Sequence, residues 1–438
     1  MDCYEKFSLS SQFQYGTSHL SEGFHELTRS PVQASGKILL GIAEVIPILG
    51  IVPALIEKKA KNWTTQGKMH QRELFVAKEI ENKSYQLKEL YFDTYSSSLP
   101  KNKNLKLQSV LNNSTPDRQI MSLARDLKSF LTTHPELTDS QKARFQTVIQ
   151  KLNEAQPTSV LISTIVANSS LKEKKQLQKD LMAMIQTRVR ELPEGEDLII
   201  PCGYMNGNIY DIKGLMNNRV EGHSIIMKLE RKNDKYQITV YDTDPFYQAA
   251  ERPGRYYPKF YEGITLESLQ NPSFLEAFTD PSCNEGDRTV GTEDVHACFE
   301  KYLGPERLAT PGDFSYHKQG SVANCTKKCL QVWLHSEMQD MEPLYKDFRI
   351  FRLQNKIHNV QNILKKNRKI KYTHPLAAWG FTGSTKNIFF AFVQGIKGRT
   401  ISPKLSMEIS KSEVNSLLEY AQKVLGERKK KQAPSSDA

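Results

Sequence analysis

Two strand-like segments near the middle of the chain constrain its fold more than any other feature. Residues 224–230 and 236–241 are rich in β-branched and aromatic side chains, and only Arg231 to Lys235 separate them. Two strands this close along the chain predict an antiparallel hairpin. Because much of the remaining chain shows helical spacing of apolar residues, the sequence predicts an α+β protein with many helices.

Four side chains near this hairpin could form a thiol active site. His223 comes directly before the first strand and Asp242 directly after the second, so a hairpin would bring both to one edge of the sheet. Cys325 opens a helix-like run, and the unpaired N–H groups of a helix N-terminus favour a thiolate. Gln319, six residues earlier, could offer its side-chain N–H to an oxyanion. A base, an orienting carboxylate and a thiol in these roles indicate nucleophilic catalysis.

The order His, Asp, Gln, Cys, with a hairpin joining the first two and Gln six residues before Cys, resembles the clan of ubiquitin-like-protein-specific cysteine proteases. The residues that match the clan's base, orienting acid, oxyanion-hole residue and nucleophile are His223, Asp242, Gln319 and Cys325. The match covers residues 195–340 as scattered motifs. Ser224 departs from the pattern, since an aromatic residue often follows the base. Asp244 is a rival for the acid, but its place before Pro245 favours Asp242.

This resemblance implies a papain-like cysteine protease core with a small mixed sheet and helices, preceded by an α-helical N-terminal region. Such a protein removes ubiquitin or a ubiquitin-like modifier from conjugates and needs no cofactor. It also implies a bacterial effector that is secreted into a host cell and acts in the host cytoplasm or on the cytoplasmic face of a host membrane. The clan includes the YopJ-like acetyltransferases, so one alternative is that Cys325 carries an acetyl group from acetyl-coenzyme A. Those members tend to have Glu where this chain has Asp242, which favours the protease. A catalytically inactive, membrane-tethered adaptor is a further alternative.

Changes in composition along the chain predict five segments. They are a flexible leader at 1–36, an apolar membrane-associating segment at 37–61, a helical scaffold or docking region at 62–190, the catalytic domain at 191–425 and a disordered basic tail at 426–438. The main predicted helices cover 69–90, 117–132, 138–155, 171–190, 344–367 and 410–425. Gly426 is the predicted C-cap of the last one. The basic residues of helix 344–367 indicate a solvated face, with an anion or inositol-phosphate site as the alternative.

The strongly apolar run from Ile38 to Ile56 would extend about 28 Å as a straight helix, close to the ~30 Å hydrocarbon core of a bilayer. Glu44, Pro47 and Pro53 argue against a straight span and favour two short helices in a re-entrant or interfacial hairpin. The lysines that follow could bind anionic headgroups, so we expect residues 38–61 to associate with an anionic membrane. The alternative is a buried helix pair in a soluble domain.

Composition limits the other partners. The 60 basic and 49 acidic residues give a net charge of +11, which favours acidic partners. Since the basic residues are not interleaved with aromatic ones, we expect no nucleic-acid binding.

Six dispersed cysteines suit a reducing compartment better than a disulfide scaffold. Cys325 and Cys329 lack a second ligand pair, so we expect no metal site and a core position for Cys329, with a resolving thiol as the alternative.

Overall fold

The computed structural model describes residues 64–94, 115–167, 171–206, 221–243, 257–279, 292–307, 310, 313–316, 325–366, 370–375, 404–409 and 411–432. The predicted leader at 1–36 and the membrane-associating segment at 37–61 lie outside these residues. Two compact units divide the chain, Met1–Gln71 and Arg72–Ala438. Of the first unit the structure describes residues 64–71, which begin the first helix. The site and its supporting elements belong to the second.

Helices make up most of the described chain. In chain order they are α1 (Thr65–Ile80), α2 (Lys83–Thr94), α3 (Pro116–Thr133), α4 (Asp139–Ala167), α5 (Leu171–Glu191), α6 (Leu266–Gln270), α7 (Pro272–Thr279), α8 (Thr292–Leu303), α9 (Cys325–Glu337), α10 (Glu342–Lys366) and α11 (Lys411–Lys430). Local signals explain several of the starts. Pro116 occupies the first turn of α3, where its missing N–H costs nothing. Thr138 and Gln141 exchange side-chain to backbone hydrogen bonds at the start of α4, which is a capping box.

A four-stranded antiparallel sheet stands between these helices. Its strands, in spatial as well as chain order, are β1 (Asp197–Asn206), β2 (Glu221–Lys232), β3 (Lys235–Tyr241) and β4 (Lys259–Ile264). A separate antiparallel pair is formed by β5 (Ile370–Pro375) and β6 (Lys404–Ile409). The predicted α+β class is confirmed. The sheets of the described residues are antiparallel throughout, so the expectation of a mixed sheet was wrong.

The predicted hairpin is the pairing of β2 with β3. Their register runs from Lys232 opposite Lys235 to Ile226 opposite Tyr241. Asn233 and Asp234 make the turn, with φ of 53° and 56°. Positive φ at both central residues is the geometry of a type I′ turn, which matches the right-handed twist of the strands, and Asn and Asp tolerate it better than most residues. The hairpin is thus fixed by its own turn.

One hydrophobic core spans the predicted boundary between residues 190 and 191. Helices α3 and α4 contribute Phe130 and Phe145, while α9 and α10 contribute Trp333 and Phe348 to the same buried cluster. The Phe130 and Phe348 rings pack edge to face with centroids 5.6 Å apart. Since both sides of the boundary fill one core, α3 and α4 pack together with α9 and α10 and do not form a separate core. These two helices therefore support the elements that carry the candidate site.

Two further expectations are corrected at the C-terminal side. Helix α11 reaches Lys430, so residues 426–430 are helical and Gly426 lies inside the helix instead of capping it. Arg428 donates to the Asp93 carbonyl oxygen at 2.8 Å, which gives this end of α11 a partner on α2. On α10, Arg352 and Lys356 are buried in ion pairs and do not belong to a solvated face.

None of the helices in the described ranges combines the length and the apolar character needed to cross a lipid bilayer.

Candidate active site

Cys325 is the first residue of α9 and is half-buried. Its sulfur therefore lies in the first turn of the helix, where several backbone N–H groups have no acceptor within the helix. The positive end of the helix dipole at this position favours the thiolate over the thiol. The sequence pattern predicted this helix start, and the structure places it at the same residue.

Ser224 of β2 connects the first turn of α9 to the sheet. Its backbone N–H donates to the Cys325 Sγ at 3.4 Å, and its hydroxyl oxygen accepts from the Thr326 hydroxyl at 2.7 Å. Its carbonyl oxygen accepts from the Cys329 thiol at 3.1 Å. All three polar groups of one residue thus contact three residues of one helix turn. A hydrogen bond donated to sulfur stabilises its charged form, so the Ser224 N–H favours a thiolate at Cys325.

His223 directly precedes Ser224 in β2, and its backbone pairs with Tyr204 of β1. The His223 side chain lies outside the described part of the structure. Ser224 contacts Cys325 directly, and His223 is its neighbour in the chain. The backbone of the predicted base therefore lies close to the predicted nucleophile. The structure therefore brings the chain positions of His223 and Cys325 together, although 101 positions separate Ser224 from Cys325 in sequence.

Asp242 follows the last residue of β3 and is completely buried. The register pairs Tyr241 with Ile226, so Asp242 comes one step beyond this pair, on the side toward His223. Its carbonyl oxygen accepts a hydrogen bond from the Tyr316 hydroxyl. Burial raises the pKa of the Cys202 and Cys329 thiols, and the nearby Asp242 carboxylate raises both pKa values further.

Cys329 provides the contrast to Cys325. It is fully buried, in the core position that the sequence predicted, and its thiol donates to the Ser224 carbonyl oxygen and contacts the Thr243 hydroxyl at 3.4 Å. Burial, and after it the Asp242 carboxylate, holds the pKa of this thiol well above its ordinary value. A neutral, enclosed thiol is a poor nucleophile. Of the two cysteines on α9, Cys325 is therefore the one suited to chemistry.

Two candidates, Gln319 and the rival acid Asp244, lie outside the described residues. The last described residue before Gln319 is Tyr316, which is buried and donates from its hydroxyl to the Asp242 carbonyl oxygen. The Tyr316 ring also stacks on Phe314, with centroids 6.4 Å apart. Sequence reasoning did not identify Tyr316 or Ser224 as site residues. Ser224 could have been identified from the sequence because it directly follows the candidate base, His223. Nothing in the sequence around Tyr316 indicated a role, apart from its aromatic side chain.

Ion pairs hold both ends of α9. Near its start, the buried Lys327 lies between the carboxylates of Glu89 and Asp93 on α2. Burial lowers the pKa of Lys327 to about 8, although both carboxylates oppose this shift. At the other end, Glu337 accepts from Lys228 of β2 at 2.8 Å and from Lys151 of α4 at 2.6 Å. Burial alone would raise the Glu337 pKa, but the two ammonium groups more than offset it and lower the pKa.

Within the described ranges, no group of three or more His, Cys, Asp and Glu side chains is arranged to hold a metal ion.

Comparison with known proteins adds no relative, since no family model, curated protein or solved structure matches this chain.

Proposed function

We propose that this protein is a cysteine protease that removes ubiquitin or a ubiquitin-like modifier from conjugates, with Cys325 as its nucleophile. The observation that carries the proposal is the 3.4 Å contact between the Ser224 N–H and the Cys325 Sγ. This contact links the thiol at the N-terminus of α9 to Ser224, the β2 residue that directly follows the candidate base His223. In this proposal the sheet and α9 would form the core of a papain-like fold.

The proposed reaction uses four residues in the roles that the clan resemblance implies. His223 holds the Cys325 proton, and Asp242 fixes the orientation of the imidazole ring. The thiolate attacks the carbonyl carbon of the scissile bond, and Gln319 together with the Cys325 backbone N–H stabilises the oxyanion. His223 then protonates the leaving amine as the thioester forms. Water, deprotonated by His223, releases the carboxylate and restores the thiol.

Four features of the described residues support a nucleophilic role for Cys325. The sulfur accepts a backbone N–H bond, and it lies at a helix N-terminus. Asp242 is buried at the end of β3, where a carboxylate is costly unless it has a partner or a function. The second thiol on the helix, Cys329, is enclosed and held neutral. The substrate class and the role as a secreted effector in a host cell come from the resemblance alone.

The test is covalent capture by the full chain. Ubiquitin and SUMO carrying C-terminal electrophiles are incubated with the protein, and adducts are located by peptide mass spectrometry. We expect an adduct with one modifier at Cys325, abolished by Cys325→Ala and strongly slowed by His223→Ala, because both the thiolate and its base are needed.

Matched controls come from the same chain. Cys298 on α8 is a half-buried thiol whose pKa burial raises to about 11, so Cys298→Ala should leave the adduct unchanged. His358→Ala removes an exposed histidine of α10 and should also have no effect. Folded protein that forms no adduct with either modifier would exclude ubiquitin and SUMO conjugates as its substrates. Labelling of Cys325 by acetyl-coenzyme A in that protein would instead identify an acetyltransferase.

A further inference from the structure

A buried cluster of six charged side chains links α2 to the start of α9. We call it the six-charge cluster, and its members are Glu89 and Asp93 of α2, Asp126 of α3, Lys327 of α9, and Arg352 and Lys356 of α10. Three carboxylates face three cations, so the cluster is neutral when all six are ionised. Except for Asp126, which is partly exposed, the six side chains are buried.

Lys327 is the only member that comes from α9. Its Nζ lies 3.1 Å from the Glu89 Oε2 and 2.8 Å from the Asp93 Oδ1, and it also donates to the Glu89 carbonyl oxygen at 3.2 Å. Each of these acceptors belongs to α2. The first turn of α9 is therefore bound to α2 through one side chain that lies two residues after Cys325.

The two carboxylates of α2 also have other partners that fix their positions. Lys356 lies 2.8 Å from Glu89 and 2.6 Å from Asp93, and Gln119 donates to Glu89 at 2.7 Å. Removing one partner from a buried ion pair leaves an uncompensated charge, which costs far more than an exposed pair is worth. Lys327 is thus held by a rigid acceptor site, and a change in that site should move the first turn of α9.

We propose that Glu89 and Asp93 are positioning residues for Cys325 and act through Lys327, so that α2 sets the geometry of the nucleophile. This inference rests on the proposed role of Cys325. Helix α2 lies more than a hundred residues before the segment that resembles the protease clan, in the region for which the sequence predicted a helical scaffold or docking role. Its carboxylates keep the helix start where the Ser224 N–H can reach the sulfur.

The direction in which Glu89→Gln shifts the pH midpoint of Cys325 alkylation distinguishes a positioning role from a purely electrostatic effect of the Glu89 charge on the thiol. If Cys325 stayed in place, Glu89→Gln would remove a negative charge, which would favour the thiolate and lower the pH midpoint of its alkylation. If the first turn of α9 moves instead, the sulfur loses the Ser224 N–H and the midpoint rises. We expect a rise of about half a unit or more, with alkylation at pH 7 at least about threefold slower.

The experiment follows iodoacetamide alkylation of Cys325 in the full chain from pH 5 to pH 10, by quantitative mass spectrometry of the Cys325 peptide. The variants are Glu89→Gln, Lys327→Met and the double variant, which keeps two carboxylates against two cations and so retains a balanced cluster. Because Glu89 acts through Lys327, the double variant should react within about twofold of Lys327→Met. Arg144→Gln removes an exposed ion pair with Asp340 and should match the unmodified chain.

A lowered or unchanged midpoint in folded Glu89→Gln would overturn the proposal. So would single effects that multiply in the double variant, since independent sites are additive in free energy. If Glu89→Gln fails to fold, the charge-balanced double variant decides the question: reaction at the rate of the unmodified chain would exclude positioning through Lys327. Alkylation requires no protease activity, so a chain that shows these shifts but forms no modifier adduct would reject the proposed function alone.

Discussion

At the scale of single residues, Ser224 and Tyr316 do the most to define the candidate site. Ser224 uses its N–H, hydroxyl and carbonyl groups to fasten the first turn of α9 to the sheet. Tyr316 donates a hydrogen bond from its hydroxyl to the carbonyl oxygen of Asp242. The two contacts bridge 101 and 74 positions of sequence. The hairpin and the helix start could be predicted because they are local patterns, whereas these long-range contacts leave no periodic signal.

Tyr316→Phe tests whether this phenol supports catalysis. The substitution leaves a buried carbonyl oxygen at Asp242 without its donor, which should cost roughly 1–2 kcal/mol in the free energy of unfolding. If the hydrogen bond orders the end of β3, kcat with a fluorogenic modifier substrate should fall severalfold while KM changes little. Both quantities are measured by steady-state kinetics on folded protein.

Tyr236→Phe is the matched control for this experiment. Tyr236 is also buried, and its hydroxyl donates to a backbone carbonyl oxygen, that of Val189, at 3.1 Å. Both variants should lose similar stability in urea denaturation. Equal losses of kcat in the two variants would mean that Tyr316 contributes stability alone.

At the scale of secondary structure, α9 is held at both ends, and the two attachments should have different consequences. Lys327 ties its first turn to α2, whereas Glu337 ties its last turn to Lys228 and Lys151. Only the first attachment is adjacent to Cys325. The second should therefore contribute to stability and leave the thiol unaffected.

Glu337→Gln tests that distinction. The change leaves two partly buried lysines with Asp197 as their remaining carboxylate, at 2.7 Å from Lys151 and 3.1 Å from Lys228. We expect a loss of about 2 kcal/mol in the free energy of unfolding, less than the roughly 3–5 kcal/mol of a fully orphaned buried charge. Urea denaturation measures the loss, and Cys325 alkylation should keep its pH midpoint. A shifted midpoint would show that this end of α9 also governs the thiol.

Helix positions followed largely from sequence, and helix ends did so less reliably. The predicted helix at 69–90 is two helices, α1 and α2, with a turn at Glu81 and Asn82. Gly426 was read as a helix end, but α11 continues past it and Arg428 contacts α2. Strand β4 was missed because it is short and defined by pairing with β3. For α11 and β4, a distant contact decided the outcome over local propensity.

At the scale of the whole molecule, the chain from Arg72 onward is one compact unit, and the predicted boundary at 190–191 does not separate two cores. Composition changes at that boundary because helices give way to strands. Local amino-acid composition indicates whether a segment is helix or strand, whereas the set of residues that share one hydrophobic core depends on tertiary packing. This explains why the α+β class could be predicted from the sequence, whereas the packing of the helices before residue 191 with the elements after it could not.

Acid should destabilise this unit through the six-charge cluster. Burial alone would raise the pKa values of Glu89 and Asp93, but the surrounding cations dominate and hold both below their ordinary values of 4.5 and 3.8. A carboxylate with a lowered folded pKa contributes stability that is complete above its unfolded pKa and is lost as the pH falls toward the folded pKa. We expect the free energy of unfolding to decline by on the order of 2 kcal/mol between pH 5 and pH 3.

Urea denaturation at pH 7, 5, 4 and 3 measures this decline. The Glu89→Gln, Lys327→Met double variant lacks one of the two titrating carboxylates of α2, so its stability should fall less steeply over the same interval. A profile identical to that of the unmodified chain would assign the acid sensitivity to other groups.

The burial of Trp333 has an optical consequence. This side chain lies in the middle of α9, fully enclosed, and its indole N–H has no hydrogen-bond acceptor among the described residues. An indole in such surroundings fluoresces at shorter wavelength than one in water. The chain has three tryptophans, so replacing Trp63 and Trp379 with phenylalanine would leave one emitter, on the helix that carries Cys325. The wavelength of its emission maximum would then report, in real time, whether α9 is packed in the hydrophobic core.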